Sequence, residues 1–537
     1  MLIKQKLSLC SSSLVMLMAL YFGVVLNFPL TSKFYQLAQQ SGDPTFALTA
    51  PLLLAAAFGV IFSLVNVPLI RKPLYALLLL SSATAAFATY QYGVVFDYGM
   101  IENVFETHSS EAAAYLNARS VFFTLVFGLL PALLLTRVRI TKQKPMTELL
   151  QRTLVLAVSV VVIAIIAAAF YKNYAAIGRN NSYLNKMINP SHIYNSVKYI
   201  NQNYLSTALP YRPLGEDATV IAPSNGKPNL TILVVGETAR AANMQYNGYP
   251  RATNPFTQSL GMLAFQDVSS CGTATAHSLP CMFSNLDRNQ YDKRQANSQD
   301  NALDVISHTG RKVVWIDNDG GDKNVAKNIS LVKPDPQQYP QYCNGGSCYD
   351  AVMLPELEQQ LAQNNGEDLL LAMHVIGSHG PTYHQRFPPE FERFSPSCNR
   401  SDIENCSDEE IVNVYDNTIA YTDYILAQLI QRLQQLNQQY NVALMYISDH
   451  GESLGENGLY LHGTPYALAP STQTQVPWLL WMDPAFSRSY GIDRQCLAQQ
   501  RNQPLSHDNL FHTLISLAGV QSSVVDSSKD LFSGCRN

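Results

Sequence analysis

The chain has 537 residues, a formal net charge of −4 and 47% hydrophobic content, a length that exceeds what one core usually supports and predicts two domains. The weak negative charge provides no basic face for a phosphate backbone, so nucleic acid is excluded as a partner. A mean hydropathy of −0.02 averages two unlike halves.

From Leu7 to Leu30 the sequence is almost free of charge, long enough for a bilayer span of roughly 20 apolar residues and too long for a simple signal peptide. Further spans are expected at about Phe46 to Ile70, Pro73 to Val95, Ser120 to Leu135 and Thr153 to Tyr171, five in all. Alternating crossings place Lys4, Lys6, Arg71, Lys72, Arg137, Arg139, Lys142, Lys144 and Arg152 on one side. The positive-inside bias makes that side the cytoplasm and everything after Tyr171 external. Residues 1–172 thus read as a transmembrane domain. In the loop from Asp97 to Arg119, Asn103, Thr107 and Glu111 recur every four residues, which would align them on one helical face; the same spacing suits an ordinary solvated interfacial helix. Residues 173–215 turn polar and read as a linker with short helices on the membrane surface, and 216–537 as the catalytic domain.

The soluble half opens on Thr231-Ile232-Leu233-Val234-Val235-Gly236-Glu237-Thr238, a continuous apolar run ending in glycine and a carboxylate. Such runs are strands buried on both faces of a parallel sheet, and open α/β sheets place their chemistry beyond the carboxyl ends of those strands. Leu369 to Met373 leads likewise into His374 and Ser378-His379-Gly380, and Val442 to Ser448 into Asp449-His450-Gly451. Amphipathic helices are expected at Glu409 to Leu436 and Asp508 to Ala518, and their alternation with buried strands predicts a parallel sheet covered on both faces. Eight of the nine cysteines lie after residue 270. Their spacing suggests local pairs, Cys271 with Cys281, Cys343 with Cys348 and Cys398 with Cys406, and leaves open whether Cys496 and Cys535 make one longer closure. Paired cysteines belong in an oxidising compartment, in agreement with the charge-based topology.

Singly, Glu237, Asp449 and His450 could be a helix cap, a turn carboxylate and a surface histidine. Jointly placed after buried strands, with His379 and His462 in glycine-flanked loops, they read as metal ligands suited to Zn²⁺ and less well to Mn²⁺. Between Cys271 and Cys281 a small-residue segment holds hydroxyls where a helix would begin, and a metal lowers the pKa of a coordinated hydroxyl. Spacing leaves both Thr273 and Thr275 open as nucleophile.

These residues sit in longer motifs: Val235-Gly236-Glu237-Thr238-Ala239-Arg240, Asn247-Gly248-Tyr249-Pro250-Arg251, Ser270-Cys271-Gly272-Thr273-Ala274-Thr275, Asp317-Asn318-Asp319-Gly320-Gly321, Gly377-Ser378-His379-Gly380-Pro381-Thr382-Tyr383 and Ser448-Asp449-His450-Gly451-Glu452-Ser453. Over nearly its whole length the chain resembles the lipid A phosphoethanolamine transferases, including the mobile colistin-resistance group. The resemblance implies an alkaline-phosphatase/sulfatase-like periplasmic domain on five transmembrane helices in a bacterial inner membrane. It points to Thr275 as nucleophile, and to one tightly held zinc on Glu237, Thr275, Asp449 and His450. His379 and His462 match substrate-side or second-zinc histidines, with His374 nearby. Asn318 and Lys323 match the ethanolamine-phosphate pocket, while Asn103, Thr107 and Glu111 become lipid headgroup contacts. Asp322 stands where relatives often carry cysteine, so one family disulfide is not expected here.

The implied reaction moves phosphoethanolamine from phosphatidylethanolamine to lipid A through a covalent threonine intermediate, in a monomer surrounded by membrane lipids, and lends resistance to polymyxins. Other acceptors (a core sugar, a glucan or a protein) and water, which would make the chain a phosphoester hydrolase, are the competing readings. A non-catalytic membrane sensor is disfavoured by the complete ligand set.

Overall fold

The computed structural model describes residues 8–40, 44–107, 116–344 and 347–536. They form two compact units: the first comprises the described residues of Met1–Ile101 and Leu116–Asn201, the second those of Glu102–Tyr115 and Gln202–Asn537.

In the first unit, four helices are long and apolar enough to cross a membrane: Thr45–Val65, Arg71–Tyr92, Ala118–Arg137 and Pro145–Gly178. A bent pair, Ser11–Leu26 and Phe28–Gln39, angled by 55°, passes the same test of length and composition only when taken together, and has the form of a broken span or a re-entrant loop. Where one straight first span was expected, the described residues form this bent pair. Its break falls at the buried Asn27, whose Oδ1 accepts from the Asn189 amide at 2.8 Å and whose Nδ2 donates to the Phe22 and Asn189 carbonyls at 2.9 and 3.0 Å. Asn189 Nδ2 donates to the Leu26 carbonyl at 3.1 Å. A kink frees backbone groups that lipid cannot satisfy, and these two amides take them up. The last membrane helix continues to Asn180.

The second unit is built on a seven-stranded sheet. In chain order its strands are β1 (Asn229–Gly236), β2 (Leu263–Phe265), β3 (Lys312–Asp317), β4 (Ser330–Val332), β5 (Leu369–His374), β6 (Asn441–Ser448) and β7 (Trp478–Met482), arranged β2-β7-β6-β1-β5-β3-β4. Strands β6, β1, β5, β3 and β4 run parallel. Strand β7 lies antiparallel to β6, with β2 antiparallel to β7 beyond it, so the expected parallel sheet carries an antiparallel edge, a common addition to such sheets.

Every residue of β1, β5 and β6 is buried. Leu233, Val235, Trp315, Ala372 and Ile447 share one core with Leu279, Leu510, Phe511 and Leu514; each fully buried Leu or Phe contributes about 2 kcal/mol. The helix Asp408–Leu436 starts at a Ser407/Glu410 capping box, with three acidic residues in its first turn favoured by the helix dipole, and packs against β6. Register carries the fold into function: Gly236 pairs with Ser448, Val235 with His374, and His374 with Asp317. Four neighbouring strands thus stop at nearly one level, and the side chains that follow them share one edge.

Candidate active site

Glu237 follows β1 directly and is fully buried. The turn after it requires Thr238 at φ 51°, a conformation that costs a β-branched residue about 1–3 kcal/mol and persists only where its surroundings hold it. Here the Tyr415 hydroxyl donates to the Thr238 carbonyl at 2.7 Å, and the Thr238 amide donates to Asp449 Oδ1 at 3.2 Å. Gly377, at φ 49°, lies so close that a Cβ would meet the Glu237 carbonyl oxygen at 2.8 Å. The glycine of the Gly-Ser-His-Gly loop is thus dictated by close approach to the Glu237 backbone.

Asp449 and His450 follow β6. Asp449 Oδ1 accepts from Thr238 N and from His450 N, the latter at 2.7 Å, while its Oδ2 is buried with no hydrogen-bond partner. The His450 Nδ1–H donates to the Gly451 carbonyl at 2.9 Å, which fixes the tautomer and turns the Nε2 lone pair inward.

The staple Cys271–Cys281 is formed, as are Cys343–Cys348, Cys398–Cys406 and Cys496–Cys535. It encloses the start of the helix Thr275–Met282. The two threonines left open by spacing part here. Thr273 Oγ1 donates to the Thr464 carbonyl at 2.7 Å. Thr275 Oγ1 lies 3.1 and 3.0 Å from the Glu237 carboxylate oxygens and 3.3 Å from His450 Nε2.

His450 Nε2 is 3.5 Å from Glu237 Oε1 and 3.3 Å from Asp449 Oδ2. An ion held at about 2.1 Å by a tetrahedral set separates its ligands by about 3.4 Å. Glu237, Asp449 and His450 form one of two such donor groups among the described residues, the other being Glu237, Asp319 and His374. The unpartnered Asp449 oxygen, the inward imidazole nitrogen and the carboxylate-rich donor set all fit a divalent cation.

Electrostatics agree. Burial, then the Asp449 and Asp319 charges, push the Glu237 carboxyl well above its ordinary range. Asp449, despite burial, is held below its own by the His450 and His374 imidazoles. Burial pulls His450 down to about 4, leaving it a neutral ligand at physiological pH. Burial also opposes charge on His374, but the Asp317 hydrogen bond and the Asp319 charge outweigh it and raise its pKa. Without a cation, protons must stand in for the missing positive charge.

The remaining expected residues lie around this cluster. His374 is the last residue of β5, and its Nδ1 is 3.0 Å from Asp317 Oδ1. His379 and His462 rings are 5.8 Å apart, with His462 4.6 Å from His450 and its Nδ1 3.4 Å from Glu452 Oε1. Asn318 Nδ2 donates to the Cys348 carbonyl and to Asp350, a buried carboxylate that also receives the Ile376 and Gly377 amides. Lys323 Nζ donates to the Glu106 carbonyl at 3.0 Å. Asn103 lies on the helix Tyr98–Glu106, and Thr107 just after it donates back to the Asn103 carbonyl at 2.6 Å; Glu111 lies outside the described residues.

Sequence reasoning missed His507. Its Nδ1 accepts from the Cys271 amide at 3.0 Å and its Nε2–H donates to the Ser448 carbonyl at 2.9 Å, tying the stapled loop to the end of β6. Burial holds it at about 4 against an ordinary 6.5. A histidine kept neutral by the fold adds stability that is full above pH 6.5 and is lost as pH falls toward 4. That window is worth about 3 kcal/mol. In His507→Gln, denaturant unfolding of the detergent-solubilised protein at successive pH values is expected to lose a pH dependence of that size; an unchanged slope would refute the role.

A threonine hydroxyl among carboxylates and an imidazole, at the carboxyl edge of a parallel sheet, defines an enzyme of the alkaline-phosphatase/sulfatase fold class, and the Sulfatase family model matches residues 229–520. The model for phosphoethanolamine transferases EptA/EptB matches residues 54–204. The chain is 38% identical over 532 residues to phosphoethanolamine transferase EptA of Escherichia coli (strain K12), covering 97% of this chain and 96% of the relative. It is 34% identical over 529 residues to phosphatidylethanolamine transferase Mcr-1 of Escherichia coli, 95% of each. The solved integral membrane lipooligosaccharide phosphoethanolamine transferase A of Neisseria meningitidis superposes with a TM-score of 0.95 at 35% identity, over 99% of this chain and 100% of that one. The chain belongs to the phosphoethanolamine transferase family, as a membrane protein with a C-terminal soluble domain.

Proposed function

We propose that this chain transfers phosphoethanolamine from phosphatidylethanolamine to a phosphate of lipid A on the periplasmic side of a bacterial inner membrane, lowering surface negative charge and with it susceptibility to polymyxins such as colistin. The observation that carries the chemistry is the Thr275 hydroxyl, within 3.3 Å of both Glu237 and His450. Family membership and the Neisseria enzyme's lipooligosaccharide acceptor support the substrates.

Zinc bound by Glu237, Thr275, Asp449 and His450 would supply a Lewis acid that favours the threonine alkoxide and offsets phosphoryl charge. Thr275 Oγ1 attacks the donor phosphorus in line with the glycerol oxygen. A bond from Thr275 to phosphorus forms as the glycerol–phosphorus bond breaks, and the hydroxyl proton ends on the diacylglycerol. A phosphate hydroxyl of lipid A then attacks the same phosphorus, and its proton returns to Thr275. The first amides of the helix Thr275–Met282 face phosphoryl oxygens as an anion site, while His379 and His462 orient the acceptor.

Mass spectrometry of lipid A from cells expressing the chain, beside cells with an empty vector, tests the acceptor. The expected result is one phosphoethanolamine increment on a lipid A phosphate. An increment confined to core sugar, glucan or protein would replace the acceptor, and free phosphoethanolamine with unmodified lipid A would make the chain a hydrolase.

A further inference from the structure

One end of the first unit gathers cationic side chains. Arg71 opens the helix Arg71–Tyr92, Arg137 closes the helix Ala118–Arg137, and Arg139 follows two residues later. The two helix ends lie side by side, with Lys72 Nζ donating to the Val138 carbonyl at 2.6 Å and to the Thr136 carbonyl at 3.3 Å. A cavity of about 570 Å³ opens there, lined by Arg71, Lys72, Arg137 and Arg139 and, on its apolar side, by Pro68 and Leu69. We propose that this cavity binds the phosphate headgroup of an anionic glycerophospholipid, whose acyl chains lie along the apolar flank of the same two helices. The site belongs to the membrane unit alone and is independent of the chemistry proposed for the soluble one.

Its lining has four positive charges and nothing to balance them. Residues 44–96 and 112–147, which supply every side chain around the cavity, contain neither Asp nor Glu. Among the described residues none of the four cations pairs with a carboxylate. The carbonyls that hold Lys72 carry no net charge, so the mutual repulsion stands until an anion enters. Arg71 points the same way. Its Nη1 donates to Ser11 Oγ at 3.0 Å, an oxygen that Asn66 Nδ2 also reaches at 2.7 Å, while its Nε is buried with no hydrogen-bond partner. A buried guanidinium donor without an acceptor is costly, and a guanidinium turned to hold phosphate on its Nε edge removes that deficit. The mouth is held in place by the backbone: Arg139–Ile140 pairs as a parallel strand with Ser8–Leu9, and the Thr141 amide donates to the Leu9 carbonyl at 2.9 Å.

The apolar side selects a lipid over a free phosphate. Leu69 is 90% exposed at the cavity wall, and Leu77, Leu133 and Leu134 on the two helices are each more than half exposed. An amphiphile covers this flank and fills the cationic cavity together. The positive-inside bias places this end at the cytoplasmic leaflet, where basic pockets between membrane helices take up anionic headgroups. A zwitterionic headgroup carries its own cation into the four already present and is disfavoured.

The test uses the full-length protein in mild detergent, stripped of lipid, with phosphatidylglycerol as the probe and phosphatidylcholine as the zwitterionic control. Native mass spectrometry counts retained lipid, and thermal unfolding reads its effect on the fold. One retained phosphatidylglycerol per chain is expected, with a melting temperature above that in phosphatidylcholine, and both effects should fade as salt is raised. Arg137→Gln with Arg139→Gln alters two exposed side chains and is expected to weaken phosphatidylglycerol roughly 30-fold, about fivefold per charge. Lys142→Gln with Lys144→Gln removes the same charge from the same end, outside the cavity, and should leave retention unchanged. Equal weakening by the two pairs would reduce the effect to the general charge of this end and overturn the site. Phosphatidylcholine retained as well as phosphatidylglycerol, or retention indifferent to Arg137 and Arg139, would overturn it too. Inorganic phosphate that displaces the lipid and raises the melting temperature equally would make the cavity a soluble-anion site and overturn the lipid assignment.

Discussion

Thr275→Ala is expected to reduce phosphoethanolamine transfer to the uncatalysed background, a loss of at least about a thousandfold, because no other hydroxyl occupies its position. Thr273 is the nearest substitute in sequence, but its hydroxyl is committed to the Thr464 carbonyl. The substitution removes one hydroxyl and one methyl from the first turn of a helix enclosed by Cys271–Cys281, so the fold should survive. Thr275→Ser restores the hydroxyl and should retain measurable transfer. The assay is mass spectrometry of lipid A from cells expressing each variant, with expression and melting temperature as controls. Incubation with donor alone should add a phosphoethanolamine mass to the intact protein and none to the alanine variant. Modified lipid A in cells carrying Thr275→Ala would refute the nucleophile.

Stripping divalent cations is expected to abolish transfer and to lower the melting temperature, with both restored by zinc. Glu237 and Asp449 are fully buried, and one Asp449 oxygen has no hydrogen-bond partner. In the stripped protein, burial and the neighbouring Asp449 and Asp319 charges raise the Glu237 pKa and so favour a proton on that carboxylate. A bound cation would compete with that proton and would stabilise the folded state by about 4 kcal/mol at a free concentration 1,000 times its dissociation constant. Metal affinity should fall as pH is lowered, because protons compete at Glu237 at a higher pH than at an ordinary carboxylate. Thermal unfolding in detergent across a zinc titration at pH 6 and pH 8 measures both effects. Full activity and an unchanged melting temperature after chelation would refute the cation site.

The strands that carry the site were legible because they are buried on both faces: β1, β5 and β6 read as uninterrupted apolar runs, and Glu237, His374, Asp449 and His450 follow or end them. The choice between Thr273 and Thr275 was not legible from spacing, since both hydroxyls sit in one stapled loop and only the direction each side chain takes separates them. Asp319 sits within the Asp317-Asn318-Asp319-Gly320-Gly321 motif, whose spacing does not show that it approaches His374 to 3.7 Å. Its nearness to His374 depends on β3 lying beside β5, and the order of strands in a sheet leaves no local mark. His507 falls outside every motif, joined to Cys271 and Ser448 by pairings that span 236 and 59 residues. Within the membrane half, hydropathy located the spans but not the break at Asn27, because it measures side-chain polarity and is blind to which main-chain groups lose their partners.

The sheet order has a consequence for how the molecule is made. Strand β1 is flanked by β5 and β6, both of which follow it by more than a hundred residues, and 213 residues separate Glu237 from His450. At about 5–20 residues per second, synthesis takes roughly 10–40 s to cover that interval. Throughout it the growing chain has an acidic residue and a hydroxyl without the imidazole that completes their cage. Completion of the Glu237, Asp449 and His450 donor group is therefore a late event, open only to chains translated past β6.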